Sequence, residues 1–202
     1  MLAVYPPSTA RSAGDLMGYV YLYYGTGGGK TANALGLALR SVGHDRRVVI
    51  IQFMKYWTDI GEYKVRERLK PNYEIYQFGN PGWIGPAEEG GEMHSGGMTL
   101  EVRGPNESDR AQARKAIEFS EKILTEDMLE LLILDEACLA VHLGLLPEED
   151  LLKILQRIPE RTDVVLTGRY APKKVIDRAD FVNEIVERKS PKNFVMTRGI
   201  QY

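Results

Sequence analysis

The sequence predicts an α/β fold with a mostly parallel central sheet flanked by helices. Three observations lead there. Runs rich in β-branched and aromatic residues alternate with stretches of helical spacing through the whole chain. Several of those runs (RRVVIIQF, LLILDE, DVVLTG) are continuously apolar, as strands covered on both faces of a parallel sheet must be. A glycine-rich turn, GTGGGKT, lies between the first run and a helical stretch.

Taken in order, residues 1–16 (MLAVYPPSTARSAGDL) carry Pro, Ser and Ala without periodicity and read as a flexible arm ahead of one domain, 17–202. The run GYVYLYY predicts a first strand over about 18–24. Leu35, Ala38, Leu39 and Val42 then share one helical face over 30–43, and Gly43 is a natural stop. RRVVIIQF, 46–53, is the second strand. A charged helix is expected over 61–70, ended by Pro71, and YEIYQF supplies a third strand. Residues 79–105 are crowded with Gly and Pro and read as a long loop, a length that usually marks function. An amphipathic helix follows over about 108–125, then LLILDE, a buried strand ending in two carboxylates. Pro147 opens the helix PEEDLLKILQRI. DVVLTG is a further buried strand, APKKVIDRA a short helix and FVNEIVER, 181–188, the last strand.

The glycine-rich turn departs from the common phosphate loop, G-x-x-x-x-G-K-[ST]. Counting back from Gly29-Lys30-Thr31 puts Tyr24 where the first glycine belongs, and the glycine comes one residue later, at Gly25. The chemistry survives the shift. Gly25, Thr26, Gly27, Gly28 and Gly29 form a loop whose glycines can turn backbone N–H groups toward an anion, and the helix beyond presents its positive end. Lys30 offers a point charge to phosphate and Thr31 a hydroxyl to Mg²⁺. The acid such a metal needs is supplied by Asp135 or Glu136 at the carboxyl end of LLILDE, where open α/β sheets bind ligands. Thr167 and Arg169, in VVLTGRYAP, fall on the same edge, and Arg169 is either a phosphate fork or a surface arginine. Cys138, His142 and His94 are too sparse to argue a transition-metal site, and Met93, Met98 and Met128 read as gap fillers.

Composition narrows the class. The 202 residues are 44% hydrophobic and 27% charged with net charge −2, which argues for neither a nucleic-acid nor a membrane partner. One cysteine rules out an internal disulfide framework and fits a reducing, cytoplasmic setting. No apolar run approaches the ~20 residues of a membrane helix, and no basic-then-apolar secretory leader opens the sequence.

The stretch YGTGGGKTANALGLALRSVGHDRRVVIIQFMK resembles the start of the ATP:corrinoid adenosyltransferases of the cobalamin-pathway P-loop type. The likeness continues through QFGNPGW (77–83), LLILDEACLAVHLGLLPEEDLL (131–152), VVLTGRYAP (164–172), ADFVNEI and RGIQY, in order. It implies a P-loop NTPase (RecA-like) fold and attack by a cobalt(I) corrinoid on the ribose 5′-carbon of ATP. The adenosyl group passes to cobalt and inorganic triphosphate leaves. It implies further that ATP lies reversed in the loop, that Lys30, Thr31 and Glu136 are the matching catalytic and Mg²⁺-binding positions, and that Arg40 is the family arginine following the loop helix. An aromatic pair set against the corrin would fall at Phe78 and Trp83, though a buried strand end and a loop-anchoring tryptophan are their plainer readings. A homodimer and a flavoprotein reductant come with the resemblance alone. The family's extra loop lysine is Gly28 here and its second threonine is Ala32, and 84–105 looks longer than its counterpart. The alternative is a P-loop phosphotransferase or ATPase cleaving at the γ-phosphate.

Overall fold

The computed structural model describes residues 17–85, 91–95, 98–126, 129–191 and 197–201, with backbone alone for 91–95 and 98–101. The arm expected over 1–16 lies outside the described residues, as do Met128 and the side chains of Met93, His94 and Met98. The elements follow the chain as β1 (Val20–Tyr24), α1 (Lys30–Val42), β2 (Val48–Phe53), α2 (Gly61–Lys64), α3 (Arg66–Leu69) and β3 (Tyr73–Phe78). Next come β4 (Trp83–Ile84), β5 (Gly91–Ser95), β6 (Met98–Arg103) and α4 (Glu107–Leu124). The remainder is β7 (Leu131–Asp135), α5 (Ala137–His142), α6 (Glu148–Leu155), β8 (Asp163–Gly168), α7 (Lys173–Arg178) and β9 (Phe181–Glu184).

Six strands form the main sheet in the order β3-β2-β7-β8-β1-β9, and each ladder between them is parallel. The continuous apolar runs are explained by burial on both faces. Along β2, Val49, Ile51 and Phe53 enter one core with α4, α5, α6 and α7, whereas Val48 and Ile50 enter a second core with α1. β7 divides the same way, Leu132 and Leu134 to one side and Leu131 and Ile133 to the other. Each fully buried Leu, Ile or Val here contributes ~1.5–3 kcal/mol relative to exposure, so neither face tolerates a polar residue cheaply. The sheet therefore presents the carboxyl ends of β1, β2, β7 and β8 along one edge.

Three expectations need correction. The stretch 79–105 is not a plain loop: it holds a small sheet in the order β4-β6-β5, with β5 and β6 antiparallel from Gly91↔Val102 to Ser95↔Met98. Two residues separate those strands, and Gly96-Gly97 is the hairpin signal that the surrounding glycines and prolines obscured. The helix expected over 61–70 is two single turns meeting at Val65, because neither N-cap, Ile60 nor Val65, supplies a capping hydrogen bond and ten residues propagate a helix poorly. The last strand stops at Glu184 rather than 188, since Ile185 leaves the ladder to cover the glycine loop.

Candidate functional site at the carboxyl edge of the sheet

The glycine loop joins β1 to α1 and is shaped by close backbone contact. Gly25 has φ +113°, and a Cβ there would sit 2.5 Å from the Ile185 carbonyl oxygen. Gly27 donates its N–H to that oxygen at 2.8 Å, and Ile185 donates to Tyr24 O at 2.7 Å. The N–H of Gly27, expected to face an anion, is thus engaged by the 185–187 segment. Gly29 caps α1 with φ 98°, where a side chain would be strained. Thr26 is exposed, and Gly28 opens onto free space with nothing near its missing Cβ.

Lys30 is 6% exposed and folds back so that Nζ donates to Gly27 O at 2.6 Å, within the loop that would receive phosphate. Burial lowers its pKa, with Arg169 acting in the same direction and Glu136 and Asp135 opposing. An anion in the loop would restore the full charge.

Asp135, fully buried at the end of β7, is the hub of the edge. One oxygen accepts from Thr31 Oγ1 at 2.8 Å and Thr167 Oγ1 at 2.7 Å. The other accepts from Gln52 Nε2 at 3.0 Å and Lys55 Nζ at 2.8 Å. Burial pushes its pKa up, but the Lys55 charge and the donors from Lys55, Thr167 and Thr31 outweigh it, so Asp135 stays a carboxylate. Lys55 mirrors this: burial disfavours its charge, and Asp135 with Glu62, 3.6 Å away, restores it. Four donors leave Asp135 little capacity to bind anything else.

Glu136 differs. It takes the left-handed conformation at φ 63°, its backbone N–H donates to Thr167 Oγ1 at 2.8 Å, and its Oε2 is buried without a hydrogen-bond partner. Burial, then repulsion from Asp135, raises its pKa. An orphaned buried carboxylate oxygen and a strained backbone at one residue mark a functional position. Thr31 spends its proton on Asp135, which leaves its oxygen lone pairs uncommitted by that bond. The donor set fits a hard cation: Glu136 Oε2 and Thr31 Oγ1 are oxygen ligands of the kind Mg²⁺ shares with phosphates and water.

The sequence expectations sort accordingly. Lys30, Thr31, Asp135, Glu136 and the loop glycines are brought together. Arg169 is exposed at the end of β8, close enough to act on both Lys30 and Glu136. Arg40 does not join them: it is exposed in the last turn of α1, ~15 Å along the helix axis from Lys30. Trp83, half-buried in β4, has its ring 5.4 Å from Trp57. Phe78, ending β3, lies 5.7 Å from Phe119 and packs on the core. Cys138 is buried in that core with its thiol pushed up to about 12 by burial, and His142 stacks on Tyr170 at 4.1 Å. Gln52 and Lys55 were not singled out from sequence. The available signal was a Gln and a Lys at the end of a strand otherwise wholly apolar.

The profile of the ATP:corrinoid adenosyltransferase BtuR/CobO/CobP family matches residues 17–202. A corrinoid adenosyltransferase of Escherichia coli (strain K12) is 30% identical over 173 residues, 86% of this chain and 79% of that protein. Corrinoid adenosyltransferase CobA of Salmonella typhimurium is 29% identical over 168 residues, 83% of this chain and 76% of that protein. A corrinoid adenosyltransferase of Pseudomonas aeruginosa is 29% identical over 192 residues, 94% and 86% of the respective lengths.

Proposed function

We propose, from the premise that this chain belongs to the ATP:corrinoid adenosyltransferase family, a residue-level account of how its sheet edge performs that transfer. The chain is a transferase acting on ATP and a corrinoid in cobalamin metabolism. The γ-phosphate-cleaving alternative is not favoured. The cobalt(I) corrinoid, a substrate, supplies the electron pair that forms the cobalt–carbon bond at the ribose 5′-carbon. The C5′–O bond breaks, its electron pair goes to the α-phosphate oxygen, and inorganic triphosphate leaves. No proton has to be removed from the nucleophile. Asp135, saturated by four donors, is suited to holding Thr31 and Lys55 in place rather than to acting as a base.

In this reading the fold is a P-loop NTPase (RecA-like) domain over 17–202, and the loop Gly25–Thr31 holds the triphosphate. Lys30 turns from Gly27 O to the phosphates, Arg169 approaches them from β8, and both stabilise charge that grows as triphosphate departs. Thr31 and Glu136 would hold Mg²⁺, which would neutralise phosphate charge there. The observation that carries this is the unpartnered, buried Oε2 of Glu136, next in sequence to the Asp135 carboxylate to which the Thr31 hydroxyl proton is committed. Trp83 and, at the rim of an aromatic cavity with Tyr56, Tyr63 and Tyr76, Phe78 form the corrinoid side of the site. We further read the enzyme as a cytoplasmic homodimer served by a flavoprotein reductant. No helix among the described residues is long and apolar enough to cross a membrane.

The test is anaerobic. The protein is mixed with Mg-ATP and chemically reduced cobalamin or cobinamide, loss of cobalt(I) absorbance is followed, and the phosphate product is identified. Adenosylated corrinoid with triphosphate is expected. ADP without adenosylation would overturn the reading.

A further inference from the structure

A row of polar side chains crosses the carboxyl edge of the sheet. The parallel registers set Gln77 of β3 beside Gln52 of β2, and Gln52 beside Asp135 of β7. Residues in register point to the same face of a sheet, so these side chains meet. Gln77 Nε2 donates to Gln52 Oε1 at 2.9 Å, and Gln52 Nε2 donates to Asp135 Oδ2 at 3.0 Å. Thr167 Oγ1, from β8, closes the row on Asp135 Oδ1 at 2.7 Å. Both ends of the row lead out of the sheet. At Asp135 it reaches α1 through the Thr31 hydroxyl, 2.8 Å away. At the other end Gln77 Nε2 also donates to the Trp57 carbonyl at 3.1 Å, and the Trp57 ring lies 5.4 Å from that of Trp83.

The polarity of the row is fixed by its ends, because an ionised carboxylate and a backbone carbonyl only accept. Gln52 turns its amide nitrogen to Asp135, with Glu62 Oε1 a longer acceptor at 3.4 Å, and this leaves its oxygen for Gln77. Gln77 spends its nitrogen on that oxygen and on Trp57. Satisfying Asp135 does not require this row, since Lys55, Thr31 and Thr167 already donate to it. A glutamine that is 0% exposed in an otherwise apolar strand costs stability unless its amide is paired. Gln77 makes no bond to Asp135 itself; its bonds carry the row on to the tryptophan segment.

We infer that Gln52 and Gln77 are positioning residues, which hold the Trp57–Trp83 side of the site at a set distance from Thr31. The inference rests on the reading of the glycine loop as the triphosphate site and of Trp83 as part of the corrinoid side. The part these glutamines play is alignment rather than chemistry. Displacement at C5′ needs two large substrates placed in line, and a misplacement of about 1 Å can cost ~100-fold in rate. The row is a series, so breaking either link severs it. A shift of Thr31 on binding Mg²⁺ and phosphate is passed along the same bonds to the Trp57 carbonyl.

The experiment compares Gln77→Met, Gln52→Met and the double variant, which keep side-chain length and remove the amides. The single-turnover rate of adenosyl transfer should fall at least ~10-fold in either single variant, with Mg-ATP affinity by calorimetry within ~2-fold of the parent. The double variant should lose no more than the worse single one, because a severed series cannot be severed again. A normal rate in Gln77→Met, an equal loss of Mg-ATP affinity, or losses that multiply in the double variant would overturn the inference. The chain's two tryptophans, Trp57 and Trp83, supply an optical readout. Bound inorganic Mg-tripolyphosphate should shift their emission in the unmodified protein, and Gln77→Met should abolish that shift while still binding the probe. No shift in the unmodified protein would refute the inference even if none of the variants folds. Lys30→Ala, run alongside, tests the premise separately: a near-normal rate there would remove the loop reading itself.

Discussion

Asp109 offers the sharpest test of how the small sheet is tied to the domain. It stands at the third position of α4 and completes a capping box with Asn106. Its carboxylate is 1% exposed and accepts from Arg103 Nη1, from Arg103 Nη2 at 2.8 Å, from Asn80 Nδ2 at 2.8 Å and from the Asn106 N–H at 3.0 Å. Arg103 ends β6 and pairs with Ile84, while Asn80 precedes β4, so one carboxylate pins the segments flanking Trp83 onto α4. Burial alone would raise its pKa; the Arg103 fork, Asn80 and Asn106 outweigh it and hold the carboxyl at about 2 against an ordinary 3.8. A depression of that size corresponds to about 2 kcal/mol of stabilisation. The sign follows from a folded-state value below the unfolded one: the stabilisation is complete above the ordinary value and is lost as pH falls from about 4 to about 2. Asp109→Asn should therefore cost ~2–3 kcal/mol in urea unfolding at pH 7, with the gap to the parent closing between pH 4 and 2. A gap under ~0.5 kcal/mol at neutral pH, or one constant across the acid range, would refute the reasoning.

Three further outcomes are expected. Lys30→Ala should lower kcat/KM for adenosyl transfer by at least ~100-fold, and a near-normal rate would reject the loop as triphosphate site. Gly25→Ala, which forces a side chain into φ +113° with Cβ 2.5 Å from the Ile185 oxygen, should cost ~1–3 kcal/mol, whereas Gly28→Ala should leave the unfolding midpoint unchanged; equal midpoints would discredit the close approach. Trp83→Ala should depress corrinoid turnover far more than ATP affinity, and a loss of stability that accounts for the whole effect would make Trp83 a packing residue only.

The sheet was legible in the sequence because parallel strands covered on both faces leave an unmistakable mark: Val48–Phe53 and Leu131–Leu134 contain no polar residue that would permit a solvent face, apart from Gln52. The glycine loop was equally legible, since positive φ and close backbone approach demand glycine locally, at Gly25 and Gly29. The hairpin after Trp83 was not, because Gly and Pro signal both turns and loops and only pairing distinguishes them. Nor could spacing along the chain choose between Asp135 and Glu136. The two carboxylates differ because Thr31, Gln52, Lys55 and Thr167 converge on Asp135 from three separate segments, whereas the neighbouring Glu136 Oε2 has no hydrogen-bond partner. Local propensity and burial pattern are properties of a segment and can be read from it. The protonation and availability of a buried carboxylate are properties of the groups that surround it, and only the packed sheet edge brings those groups together.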